Sequence, residues 1–482
     1  MNTLKGYRIF FALICLTLVL FLTIGNVNAN PTLQAETDFA AIDAYVTEQM
    51  NNLGIPGMAL GIVQNGQVAH VQGFGVADSS GRAVTPQTPF YIGSVTKSFT
   101  ALAVMQLVEA GKIDLDAPIQ TYLPWFELAD KEASAKITVR NLLNQTSGIS
   151  TKDGNRFLSS QQGLEEIVRG LNIIQLSQPV GTTYQYSNLN YSIAGLIVEV
   201  VSGQSYADYV TNHIFEPLDM RHSYASRAPA LADGLSDSYY YMFGHAFELE
   251  GPKPPGEIPA GFLIASVEDM THYAIAHLND GRYGDTSILS PQGMAELHAP
   301  PIPAGGMHYV MGWVVGTLDG MSIITHSGDD GRFHSSVYMM PDRNSGIVLL
   351  ANASGYEQVA QVDGIARGIL NILNGKPAEP ASVDINMGII HWVVVLTPLL
   401  QILGIVLVWR NRKSAGKWRV VLTVFLNLAV VILLGFQLQT SGAISNLVLL
   451  TPDLGYSAIA VVVLGIGSVI YAAMNLMMRR SK

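Results

Sequence analysis

Residues 91–97 read Tyr91-Ile92-Gly93-Ser94-Val95-Thr96-Lys97, and from there to Ala110 apolar side chains recur on nearly every side until Gly111 stops the run. A helix that is apolar all round is a buried one, so the segment predicts a central helix beginning near Ser94. On that helix Ser94 and Lys97 share a face, about 4.5 Å apart along the axis, which brings an amine within reach of a hydroxyl. The first turn also offers N–H groups without intrahelical partners at the positive end of the helix dipole. These suit an oxyanion developing on an attacked carbonyl. Alone, the S-x-x-K spacing decides nothing, since Ser414-Ala415-Gly416-Lys417 fits it equally well.

Toward the N-terminus, Phe39, Ile42, Val46 and Met50 recur at helical spacing until Gly54 and Pro56, and Met58–Val63 and Val68–Phe74 flank the hairpin signal Asn65-Gly66. Toward the C-terminus, Ile113 to about Met220 reads as helical segments and turns. Strands follow at about Val310–Gly316, Met321–His326, Ser336–Met340 and Ile347–Asn352, then a helix through Val359–Leu373. Strands from both ends with helices between them predict an α/β domain over residues 36–374. It is a mostly antiparallel sheet flanked by helices, with an inserted helical lobe and a cleft between the lobes.

Two further motifs lie in this domain. Tyr186-Ser187-Asn188, led by Pro179-Val180-Gly181 and Tyr184, is the only Y-x-N in the chain. A phenol titrates near 10, so Tyr186 is a base at neutral pH only beside a cation such as Lys97; Lys97 is itself the base if burial lowers its pKa. Both alternatives stand. His326-Ser327-Gly328 ends a predicted strand, where glycine admits a substrate backbone and the hydroxyl and imidazole suit a substrate carboxylate or amide.

The three motifs in this order resemble those of the class C β-lactamase and penicillin-binding family of serine hydrolases, which includes DD-carboxypeptidases, D-aminopeptidases and esterases. Thr88-Pro89-Phe90-Tyr91-Ile92-Gly93, Ile113-Asp114-Leu115-Asp116-Ala117-Pro118 and Gln145-Thr146-Ser147-Gly148 are similar to family landmarks. The resemblance implies a β-lactamase/DD-peptidase-like fold, with Ser94 as the acylated nucleophile, Lys97 and Tyr186 sharing proton transfer and Asn188 contacting the substrate amide. The backbone N–H groups of Ser94 and Asp329 would form the oxyanion hole. His326 stands where most class C lactamases have lysine, as in DD-peptidase and D-aminopeptidase relatives, which argues against efficient β-lactam hydrolysis. The expected substrates are D-amino-acid peptides, such as cell-wall stem peptides, or related amides. A small-ester esterase and a penicillin-binding sensor or inactive scaffold are the competing readings.

The ends of the chain point to a membrane. Residues 1–29 carry Lys5 and Arg8, an apolar run from Ile9 to Ile24 and the small-residue exit Val27-Asn28-Ala29, which is signal-peptide grammar; an uncleaved anchor is the alternative. After a short linker at 375–387, three stretches, Gly388–Trp409, Val420–Leu438 and Ser457–Met478, predict three transmembrane helices over 388–478. Arg410, Arg412, Lys413, Lys417 and Arg419 follow the first, and Arg479, Arg480 and Lys482 the third, whereas 439–456 hold no Lys or Arg. The positive-inside rule then places both basic ends, and so the C-terminus, in the cytoplasm and the catalytic domain outside. His391, Gln401 and Asn427 read as helix-to-helix hydrogen-bonding groups within a plasma-membrane anchor.

The 482 residues are 49% hydrophobic with a formal net charge of −10, and no basic stripe with interleaved aromatics appears, which excludes nucleic acid as a partner. The expected partners are a small-molecule or peptide substrate and the lipid bilayer. The single cysteine, Cys15, lies in the leader, so the mature domain has no thiol chemistry. His222, His245, His272, His298 and His334 show no metal-ligand spacing, and neither metal nor cofactor is expected.

Overall fold

The hairpin signal at Asn65-Gly66 is met by its geometry. In the computed structural model, which describes residues 37–157, 160–251, 253–299, 306–355, 358–381, 385–410 and 452–480, both turn residues adopt left-handed φ, 54° and 69°. A two-residue turn between right-twisted strands requires those angles. Before it, helix α1 (Phe39–Leu53) buries Ile42, Val46 and Met50 at the expected spacing. The chain divides after Ala41: the first unit is described at residues 37–41, where the Ala41 N–H donates to Asp38, and Ile42–Lys482 form the second.

The hairpin joins β1 (Gly57–Gln64) to β2 (Gln67–Gly75). The other strands of the sheet are β3 (His308–Val310), β4 (Trp313–Leu318), β5 (Met321–Asp329), β6 (His334–Met340) and β7 (Ser345–Ala351). The seven lie in the order β2-β1-β7-β6-β5-β4-β3, every pairing antiparallel, with Met58 of β1 opposite Ala351 of β7. The run expected as one strand over Val310–Gly316 is broken in two. Met311 and Gly312, at φ 40° and 84°, turn β3 back on β4, and a Cβ at Gly312 would sit 2.7 Å from the Ser98 backbone.

Between β2 and β3 the chain builds the helical lobe. Its helices include α2 (Thr96–Glu109), α3 (Leu164–Arg169), α4 (Asn188–Ser202), α5 (Ile258–Gly261) and α6 (Val267–Leu278). α2 is buried along nearly its whole length and packs against α4 and α5, as its all-round apolar surface demands. Strand alternation divides the interior into two layers. Ala59, Val63, Val337, Met339, Val348 and Leu350 join the core on the lobe side, where α6 lies against β1 and β7. Side chains of the opposite parity face α7 (Gln358–Leu373), which packs on β6 and β7.

Two long helices end the described chain, α8 (Ile385–Arg410) and α9 (Pro452–Arg480), packed on each other. They contain the first and third expected spans. Among the described residues, one stretch, Pro452–Tyr471, is long and apolar enough to cross a membrane, and Trp392–Val406 forms a shorter apolar helix. Among the described residues one helix thus meets the requirement where three were expected. The second expected span, 420–438, and the leader, 1–29, lie outside the described residues.

Candidate active site

Ser94 sits in a single 3-10 turn, Gly93–Val95, just ahead of α2, rather than inside the α-helix itself. The turn is pressed onto β5. Gly93 is at φ 51°, and a Cβ there would run into the Asp329 backbone nitrogen; a Cβ at Gly328 would strike the Ile92 carbonyl and come to 2.9 Å from the Ser94 nitrogen. Only glycines on both sides permit this approach of main chain to main chain. It brings together the two N–H groups expected to form the oxyanion hole. Ser335 on β6 clamps the same seam by donating its hydroxyl to the Ile92 carbonyl at 2.7 Å.

The second motif arrives from the turn before α4, held by the landmark around Gln145. The buried Gln145 accepts from the Ser187 N–H at 2.9 Å and from Asn190 Nδ2 at 2.6 Å, and its carbonyl accepts from the Gln185 N–H at 2.7 Å. So fixed, the Tyr186 hydroxyl donates to Ser94 Oγ at 2.7 Å. Lys97 Nζ lies 3.0 Å from the same oxygen, 2.8 Å from Asn188 Oδ1 and 2.5 Å from the Ala260 carbonyl. Ser94, Lys97, Tyr186 and Asn188 are therefore one cluster, with Asn188 engaged by the lysine.

Burial decides the charges. Lys97 has no exposed surface, and desolvation pushes its amine down to about 7, against an opposing pull from Glu257. Desolvation drives the Tyr186 phenol well above its ordinary value despite its bond to Ser94. Near neutral pH the amine is thus available as a base and the phenol keeps its proton. Tyr309 packs edge-on to Tyr186 and to His326, at centroid distances of 6.2 and 5.8 Å.

The third motif divides between the two faces of its strand. His326 is buried, and desolvation together with the nearby Lys97 holds its imidazole down to about 4, so it is neutral at working pH and is no cation for a substrate carboxylate. Its Nδ1 lies 2.7 Å from the Ser327 carbonyl; a carbonyl only accepts, so Nδ1 carries the hydrogen and Nε2 is the acceptor. Ser327 takes the other side of the strand. Its hydroxyl, expected to bind substrate, donates to Asp363 of α7 at 2.8 Å, while Gly328 meets the Ser94 turn.

Sequence reading missed several groups here. Asp363 Oδ1 also accepts from Ser336 at 2.5 Å and lies 3.0 Å from His334 Nε2, whose Nδ1 is 3.4 Å from Asp329. Burial opposes charge on His334, but its bonds to the two carboxylates outweigh that and hold it up at about 9. Glu257 and the Ala260 carbonyl were missed as well; neither belongs to a motif. Among the described residues no group of three His, Cys, Asp or Glu side chains is placed to hold a metal ion.

Comparison with known proteins agrees with this geometry. The family model described as Beta-lactamase matches residues 42–371. Protein flp of Staphylococcus aureus (strain MW2) is 29% identical over 321 residues, 64% of this chain and 62% of that protein. Unguisins hydrolase ungD' of Aspergillus campestris (strain IBT 28561) is 28% identical over 340 residues, 66% of this chain and 62% of that protein. The chain thus spans 62% of the length of these curated relatives. The octameric penicillin-binding protein homologue from Pyrococcus abyssi has the same fold, with a TM-score of 0.62 at 27% identity, over 75% of this chain and 82% of that one. With the family match extending over more than half of its length, and a serine, a lysine and a tyrosine gathered at the start of its central helix, the chain belongs to the Beta-lactamase family.

Proposed function

We propose that the chain is a serine hydrolase that works through an acyl-Ser94 intermediate, with Lys97 as the base, on D-amino-acid peptides or related amides. One observation carries this reading: Ser94 Oγ is held between a buried amine at 3.0 Å and a phenol hydroxyl at 2.7 Å, beside two main-chain N–H groups. As the Ser94 oxygen attacks a carbonyl carbon, its proton passes to the Lys97 amine, and the N–H groups of Ser94 and Asp329 receive the oxyanion. Collapse breaks the amide bond, and the leaving nitrogen takes a proton from the Lys97–Tyr186 pair. The phenol, kept protonated by burial, is the donor on that path. Water repeats the sequence on the ester and releases Ser94. The name of one relative as a hydrolase supports this outcome.

A second reading, cleavage of uncharged esters, is favoured by the neutral His326, which leaves that position without a cation for a carboxylate. The proposed setting is the outer face of a membrane, with the bilayer as partner and the C-terminal helices as a multi-pass anchor. The apolar stretch Pro452–Tyr471 and the exposed Trp392, Val393, Leu396, Leu399 and Leu400 of α8 support it. The test is covalent labelling of the full-length protein with a fluorophosphonate and a fluorescent penicillin, followed by peptide mapping. An adduct on Ser94 that is absent from Ser94→Ala is expected; an adduct elsewhere rejects the assignment.

A further inference from the structure

Glu257 closes the 3-10 turn Pro255–Glu257 that leads into α5, the helix whose Ala260 carbonyl holds Lys97. It has no exposed surface, and among the described residues neither of its carboxyl oxygens has a hydrogen-bond partner. That is an expensive arrangement: a buried polar group without a partner costs on the order of 1–3 kcal/mol, and an ionised one more. The turn is locked in place, since it packs against α3 and α4 and a Cβ at Gly256 would strike Ile167. The cost is therefore built into the lobe, on the same element that positions the catalytic amine.

The groups on the packed elements leave one charged counterpart. On α3, Glu165, Glu166 and Arg169 are exposed, and Arg169 is bonded to Glu165. Tyr186 and Tyr191, from the turn before α4 and from α4 itself, are phenols that burial keeps neutral. Lys97 on α2 is the remaining one. Desolvation lifts the Glu257 acid to about 8 against the pull of Lys97, while Lys97 is held down by desolvation against the pull of Glu257. Each group is the charge partner of the other.

We propose that Glu257 is a positioning residue whose buried carboxyl acts through its charge on Lys97 inside the helical lobe and so sets how much of the amine is free to deprotonate Ser94. In one form Glu257 is the neutral acid and Lys97 the free base; in the other the carboxyl has lost its proton and the amine holds one, giving carboxylate and ammonium. Atoms and charge balance between the two. The first form accepts the Ser94 proton and the second does not. The inference rests on the reading of Lys97 as the base, and it makes Glu257 the group that tunes that base without touching substrate.

The test is the pH dependence of Ser94 phosphonylation by a fluorophosphonate on the full-length protein, together with the ¹³C NMR titration of the Lys97 side chain, assigned by its loss in Lys97→Arg. Removing the carboxylate takes away an influence that raises the amine, so in Glu257→Gln both the acid limb of the rate and the Lys97 titration should move to lower pH by about one unit, the scale of a nearby opposite charge. Glu257→Met should give the same shift without lowering Tm, because it removes an unpaired buried carboxyl. An unmoved Lys97 titration in both variants, whatever happens to Tm, overturns the proposal and leaves Glu257 a packing residue. A shifted titration with no labelling of Ser94 in any variant keeps the Lys97–Glu257 coupling and overturns the hydrolase reading instead.

Discussion

The hydroxyl of Ser327 donates to Asp363 at 2.8 Å, which ties the third motif to helix α7 instead of to the cleft. Asp363 gathers Ser327, Ser336 and the charged His334 at one oxygen, so it joins β5, β6 and α7. Removing it leaves the buried imidazolium with Asp329 alone, at 3.4 Å. Asp363→Ala should lower unfolding free energy by about 3 kcal/mol, the scale for breaking a buried ion pair, against about 1 kcal/mol for Ser327→Ala. In urea denaturation the double variant should cost little more than Asp363→Ala alone; full additivity would show that the two do not interact.

The His334 imidazolium makes stability depend on pH. Its folded pKa, about 9, lies above the unfolded value near 6.5, so its contribution is complete below about pH 6.5 and is lost as pH rises through about 9. The Tm advantage of the wild type over His334→Gln should therefore shrink as pH rises across that window; an advantage that stays constant with pH would reject the charged imidazole.

Lys97 carries the opposite sign. Its folded pKa lies below the unfolded value near 10.4, so the unfolded chain binds more protons between about pH 7 and 10 and the buried amine costs stability there. Lys97→Met should therefore melt no lower than wild type at pH 8 while acylation falls by roughly 10²-fold or more, as should acylation in Tyr186→Phe. Near-normal acylation in either variant would remove that residue from proton transfer.

The fate of His326 separates two expectations. An imidazole held down to about 4 does not titrate between pH 6 and 8, so the acid limb of kcat/KM on an ester should keep its midpoint in His326→Gln. A limb that disappears in this variant would assign it to His326 and reject the neutral imidazole.

Orientation in the membrane has its own test. Reporter fusions after Asn374 and within residues 439–456 should be active outside, and fusions at Lys417 and Lys482 inside. Activity inside at Asn374 would exclude an extracytoplasmic substrate.

What the sequence made legible was whatever it encodes locally. Ile42, Val46 and Met50 repeat at helical spacing, Asn65-Gly66 supplies the turn angles, and Ser94 and Lys97 are one helical turn apart. Tyr186 and Asn188 were found because a motif marks them. The Met311-Gly312 turn was lost because a short apolar run looks the same whether one strand or two, and methionine is no signal for positive φ. The facing of Ser327 was lost because one residue of strand phase decides it. Glu257 and Ala260 reach Lys97 across some 160 residues of chain, one through an acid in no motif and the other through a carbonyl that every residue possesses.

The seam between Gly93 and Gly328 gives the site two kinds of heredity. The proposed proton handling is written in side chains, so replacing Ser94, Lys97 or Tyr186 with alanine should erase one function at a time. The proposed anion-receiving groups are peptide N–H groups, which every substitution of their own residues except proline preserves. Alanine substitution of the cleft's side chains would chart the first half of the machinery and pass over the second, which is lost only when a Cβ at 93 or 328, alanine's included, wedges strand and turn apart. Genetic drift in this chain can therefore retune its acid–base chemistry residue by residue, while its grip on the carbonyl survives or fails as a whole.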